Sequence, residues 1–349
     1  SETGTRFDFI AGLYFWNEKV FNSTTIGFWQ DLDLNADGLL DFTDCLDPLF
    51  TSLGLGPATP AGAALEGVLN GFGTSLADFV PAGCQLQNEF DQERDSLAAY
   101  FDGRLDLSDS TSIRFGLRYT TDETELRGFS ARVLGNDSVP VLNTIPGDPV
   151  DPFAVVPDDS FTDREWSGKI GLDFTLDSGT LLYGLYSRGY RSGAYNAQAF
   201  LEPAELSRVE PEIVNSFEVG FKSELLEGRM RLNGAAFHYD YENQQFLNVD
   251  TATLAQTLIN IEESTVTGLE LETTVLITDA LTMRAGLGII DSEVEKGVLS
   301  GVDLAGNELL LAPGVNFNNS VDSTVFDHSL GSLSVLADGT YLDDHYFGF

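Results

Sequence analysis

The densest chemistry in the chain is the segment Asp33 to Asp44, DLNADGLLDFTD, in which Asp33, Asn35 and Asp37 stand at alternate positions and Gly38 follows. Oxygen ligands at the first, third and fifth positions, the backbone carbonyl of Leu39, and carboxylates at Asp41 and Asp44 can wrap a hard cation, and Gly38 allows the sharp turn. Calcium is the expected ion, in the role of a structural staple; an acidic solvated loop is the alternative. Cys45 follows directly, and with Cys84 it completes the cysteine complement. Two cysteines in one polar segment fit a disulfide in an oxidising compartment better than a metal site with two ligands.

Other chemistry is sparse. His238, His328 and His345 are scattered, and no HExxH or GxSxG pattern occurs, so no catalytic residue is expected. The run Gly189 to Gly193, GYRSG, is not followed by a helix pattern, which a phosphate cradle would need. Tyr190, Arg191 and Tyr195, with Tyr183 and Tyr186 before them, read as an interfacial aromatic girdle or as a ligand-facing rim. Lys and Arg total 18 against 55 Asp and Glu, a net charge of -37. Nucleic acid and anionic head groups are repelled by that balance, and cations are attracted.

The elements that hold these residues announce themselves by period-two alternation. Trp166, Gly168, Ile170, Leu172, Phe174 and Leu176 fall on one face, and Ser167, Lys169, Gly171, Asp173 and Thr175 on the other. Helical periodicity would scramble both sets. Similar patterns predict about eleven strands, several longer than soluble strands usually are. No stretch approaches the roughly 20 apolar residues of a membrane helix, so membrane residence requires a barrel. Short connections at Ser108–Ser110, Asp177–Gly179, Leu226–Gly228, Thr278–Ala280 and Asp327–Ser329 alternate with long polar ones at about 21–91, 127–163, 191–211, 247–262 and 295–312. Tight periplasmic turns and extended outer loops give that asymmetry in outer-membrane barrels. The predicted class is therefore all-β, an antiparallel transmembrane β-barrel present in part. A secreted β-sandwich is the soluble alternative, with the apolar face as its dry core. By parity, Arg114, Arg118, Lys169, Asp173, Glu218, Lys222, Glu270 and Glu272 face the lumen.

Several phrases carry a family resemblance: LLYGLYSRGYRSGAYN from Leu181, VEPEIVNSFEVGFKS from Val209, RLNGAAFHYDYENQQ within 229–245, FDFIAGLYFWNE from Phe7, DSLAAYFDGRLDLSDSTSIRFGLRYTTDE from Asp95, STVTGLELETTV from Ser264, and YLDDHYF from Tyr341. Together they resemble the central barrel of TonB-dependent receptors over nearly the whole chain outside the long loops. The resemblance implies a barrel of about 22 strands around a plug. It further implies residence in the outer membrane of a Gram-negative bacterium, among its lipids, and uptake of a scarce nutrient such as a ferric siderophore, energised by TonB and its inner-membrane complex. No cofactor is required by that reading beyond structural calcium, and no catalysis. Neither plug nor TonB box is found in this sequence, so residues 1–349 are expected to be a fragment of a longer receptor. A passive porin-like channel is the rival. The 33–44 loop in turn resembles an EF-hand or dockerin-type calcium loop, with Asp44 where a bidentate Glu is usual, which lowers the expected affinity.

Overall fold

A computed structural model describes residues 6–27, 68, 85–134, 140–143, 145–147, 154–200, 205–249, 256–299 and 301–347. The calcium-loop residues Asp33, Asn35, Asp37, Leu39, Asp41 and Asp44 and both cysteines, Cys45 and Cys84, lie outside the described residues.

Eleven long strands pair in sequence order, each antiparallel to the next. They are β1 (Arg6–Gly27), β2 (Gln85–Asp106), β3 (Thr111–Leu134), β5 (Asp159–Thr175), β6 (Leu181–Arg191), β9 (Glu212–Leu225), β10 (Met230–Val249), β11 (Gln256–Thr278), β12 (Leu281–Lys296), β15 (Val315–His328) and β16 (Gly331–Leu342). Five short strands decorate the long connections. β4 (Pro140–Asn143) pairs with β3, β7 (Ala194–Tyr195) with β8 (Arg208–Val209), and β13 (Val298–Leu299) with β14 (Val302–Asp303).

Register turns the alternation of each strand into a continuous apolar surface. Ile113, Phe115, Leu117 and Tyr119 of β3 lie opposite Leu172, Ile170, Gly168 and Trp166 of β5, and residues directly opposite share a face. Apolar residues hold this face from Phe7 to Phe15, from Leu97 to Leu105 and from Trp166 to Phe174; the next outward positions are Asn17, Asp95 and Arg164. At about 3.3 Å per residue and a tilt near 40°, such runs span roughly 20–25 Å, the height of the apolar band of an outer-membrane barrel. Aromatic rings mark both margins. Phe7, Phe9, Phe101 and Phe115 cluster with centroids 5.3–6.4 Å apart near the short turns, and Tyr119 meets Trp166 at 4.6 Å toward the loops.

Aromatic side chains also cover glycines on the facing strand. Tyr100 lies over Gly12, Phe115 over Gly103, Tyr183 over Gly220, Phe221 over Gly234 and Phe237 over Gly268, each in the directly opposite position. The missing side chain lets the ring lie flat on the sheet, which restores packing that glycine alone would forfeit.

The strands outrun the alternation that predicts them. β1 continues to Gly27 and β2 begins at Gln85, so the first long connection is 28–84 rather than 21–91. Likewise β3 reaches Leu134 and β5 starts at Asp159, inside the expected 127–163 loop, and β10 and β11 extend to Val249 and from Gln256, inside 247–262. The cause is solvent. Beyond the apolar band polar residues enter the outward face, so alternation fades while the ladder continues, as in Asn17 opposite Asp95 and Ser23 opposite Glu89.

Candidate transport lumen

The face opposite the apolar band carries ion pairs that cross strands. Arg114 Nη2 lies 2.7 Å from Asp173 Oδ1, and Lys169 Nζ lies 2.7 Å from Asp102 Oδ2. Each pair joins neighbouring strands or spans one, so it ties wall strands together while leaving the chains hydrated on the open side. Arg118 differs. Its Nε donates to Thr120 Oγ1 at 2.9 Å and its guanidinium sits 4.9 Å from the Tyr14 ring centroid, with no carboxylate partner among the described residues. Gly116 floors a hollow of about 360 Å³ between these groups, lined also by Tyr100, Ser167, Ser187 and Arg188; a Cβ at that position would meet Asp102 Oδ2 at 2.7 Å.

The next strands carry glutamates on the same polar face. Glu218 accepts a 2.6 Å bond from the Tyr183 hydroxyl, and Lys222 Nζ lies 5.8 Å from the same ring. Glu270 and Glu272 sit opposite Gly288 and Gly286 of β12 and opposite Ala235 and Asn233 of β10, so small neighbours leave both carboxylates open. The polar wall thus carries both signs along its length, with Arg114, Arg118 and Lys169 beside Asp173 on β3 and β5, and Glu218, Glu270 and Glu272 beside Lys222 on β9 and β11.

At the loop end the tyrosine hydroxyls are bonded to carboxylates. The Tyr190 hydroxyl donates to Asp122 at 2.6 Å, and that of Tyr195 to Asp159 at 2.7 Å while its ring stands edge-on to Phe161 at 5.0 Å. Burial, reinforced by the bond to Asp159, raises the Tyr195 phenol pKa above the ordinary 10, so it does not ionise near neutral pH. Arg191 Nη1 reaches Glu212 at 3.7 Å. Of the tyrosines read as girdle, Tyr186 meets Phe217 of the apolar face at 5.0 Å, whereas Tyr183 bonds within the polar face.

Residues without a motif complete the rim. Asp163 accepts the backbone N–H of Gly193 at 2.8 Å; burial raises its pKa, and the Gly193 bond opposes that shift. Asn88 is fully buried and donates to the carbonyls of Ala197 and Ala199 at 2.7 and 2.8 Å, which pins the β6–β9 connection onto β2. Around it Phe90, Leu126, Phe129, Ala131 and Ile145 form a compact core. Continuing the polar parity of β3 past Arg118 would have reached Asp122; Asn88 gives no such signal. Among the described residues no group of three or more His, Cys, Asp or Glu is placed to hold a metal.

Residues 3–348 match the family described as TonB dependent receptor-like, beta-barrel. The ferric yersiniabactin uptake receptor FyuA from Yersinia pestis superposes with a TM-score of 0.57 at 18% identity, over 76% of this chain and 39% of its own. The siderophore receptor PiuA from Acinetobacter baumannii gives 0.53 at 18% identity, over 76% and 42%. A probable TonB-dependent siderophore receptor, PiuA, of Acinetobacter baumannii is 34% identical over 88 residues, 25% of this chain and 11% of that protein. The chain therefore spans less than half the length of the relatives it matches. With an eleven-strand antiparallel wall, apolar outside and charged within, it belongs to the TonB-dependent receptor β-barrel family and resides in the outer membrane of a Gram-negative bacterium.

Proposed function

We propose that the chain forms part of the wall of a TonB-energised receptor that imports a ferric siderophore. The observation that carries this reading is the polar face itself: ion pairs and hydrogen-bonded carboxylates line the wall from the turns to the rim, which suits the enclosure of a hydrated ligand and of protein inside the barrel. The relatives named as siderophore receptors support the same cargo. TonB and its inner-membrane complex supply the energy in this proposal.

Uptake of radiolabelled ferric siderophores by iron-starved cells, with and without the full-length gene, tests the cargo. Loss of uptake on deletion and on removal of TonB supports it; uptake that persists without TonB assigns the barrel to passive diffusion. The 33–44 segment is proposed to hold structural calcium, and calorimetry on the purified receptor decides it, since no binding heat at millimolar calcium rejects the site.

A further inference from the structure

The outward face carries a groove of about 660 Å³ that runs along β10. Gly234 and Ala236 are its floor. Phe221 and Val219 of β9 stand directly opposite them on one side, and Leu271 and Leu269 of β11 on the other. Phe221 leans across Gly234, where a Cβ would come within 2.6 Å of the ring, so the groove narrows toward the turns and stays open over Ala236. One step nearer the loops, on the same face, the chemistry changes. His238 lies between Phe217 and Thr267, with Nδ1 2.7 Å from Thr267 Oγ1 and Nε2 3.0 Å from Asp240 Oδ1.

We propose that this groove is a lipid site: one acyl chain of an outer-leaflet lipid lies over Ala236, and a hydroxyl of its head group donates to the His238–Thr267–Asp240 cluster, whose Thr267 Oγ1 and Asp240 carboxylate keep acceptor sites free. The occupant follows from position. The groove lies within the apolar band and is continuous with the surface that hydrocarbon already covers. The cluster stands where that band ends on the side of the long loops, at the depth of outer-leaflet head groups. Hydrocarbon gains no hydrophobic energy by moving from bilayer to groove, so residence depends on close packing and on the head-group bonds. A single bulky side chain in the floor removes the first of these.

Native mass spectrometry of the full-length receptor, extracted in mild detergent, reads the retained lipid. The wild type is expected to keep one lipid per barrel, and Ala236→Phe to lower that occupancy about tenfold. Ala99→Phe is the control, because Ala99 also faces outward, opposite Leu13 and Tyr119, and lies away from the groove; it should retain the lipid. His238→Leu should lower occupancy and His238→Gln restore part of it. If Ala236→Phe does not fold, Ala236→Leu gives the same reading. Three results overturn the proposal: no lipid on the wild type, equal retention by Ala236→Phe, or equal loss in Ala99→Phe.

Discussion

The wall inside the membrane and its continuation beyond it obey different packing rules. Within the band, side chains divide between hydrocarbon and lumen, and few are buried by the protein itself: Leu97, Leu117 and Ile170 all point outward. Beyond the band the strands meet water on both sides and build small interiors of their own. One surrounds Phe129 and Ala131; another surrounds Ile261, Val294, Leu304 and Leu309, where the β12–β15 connection folds onto β11 and β12. A strand in lipid borrows its apolar environment, whereas a strand in water must make one.

The largest test of this contrast is Phe129→Ala. Emptying a fully buried ring site costs about 3–5 kcal/mol. Limited proteolysis should show cleavage within 127–200 while the membrane strands keep their heat-resistant mobility on gels; loss of both together would mean that the two regions are one cooperative unit.

Inside the band the two faces should respond oppositely to charge. Leu269→Arg faces hydrocarbon and should cost about 2–4 kcal/mol, while Glu270→Arg, its lumen-facing neighbour, should change folding stability little. Urea titrations in lipid vesicles compare them, and equal costs would contradict the assignment of faces.

A smaller effect is expected at Asn88. Replacing it by Ala leaves the carbonyls of Ala197 and Ala199 without their donor, a loss of about 1–3 kcal/mol. Hydrogen exchange of residues 194–200 should quicken, with the β2–β3 ladder below Arg94 unaffected.

The smallest effect concerns pH. Bonds from Lys19 and Asn17 hold the pKa of Glu93 below its ordinary 4.5. Because the folded form keeps this carboxylate ionised, its stabilisation is full above the unfolded value and is lost as pH falls through the folded one. Protection factors at Val20 and Phe21, corrected for the intrinsic pH dependence of exchange, should fall on acidification below 4.5, and Glu93→Gln should abolish that dependence.

How much of this was legible in the sequence follows the same boundary. Where one face met lipid, residues such as Ile113, Phe115 and Leu117 declared strand and orientation, and the parity that placed Arg114, Glu218 and Lys222 on the polar face needed nothing else. Past the band, Ser23, Thr24 and Thr25 look like loop because no apolar alternation marks them, yet they pair with Glu89, Asn88 and Gln87. Partners remained hidden for a different reason. Tyr190 and Asp122, or Arg114 and Asp173, are far apart in sequence and meet only through the register of intervening strands. Tyr183 resembled a girdle residue because a tyrosine suits either face, and its partner Glu218 lies on the next wall strand.

The overhang of β3 has a consequence for encounter. From Thr120 to Leu134 the strand continues past the lipid margin, roughly 50 Å of chain at about 3.3 Å per residue, and its inner packing keeps that length upright. The rim is thus a mast, standing clear of the polar surface on which it is mounted. The overhang thus lengthens the polar wall beyond the bilayer, so a solute approaching from outside passes Thr120 to Leu134 before it reaches the level of the membrane.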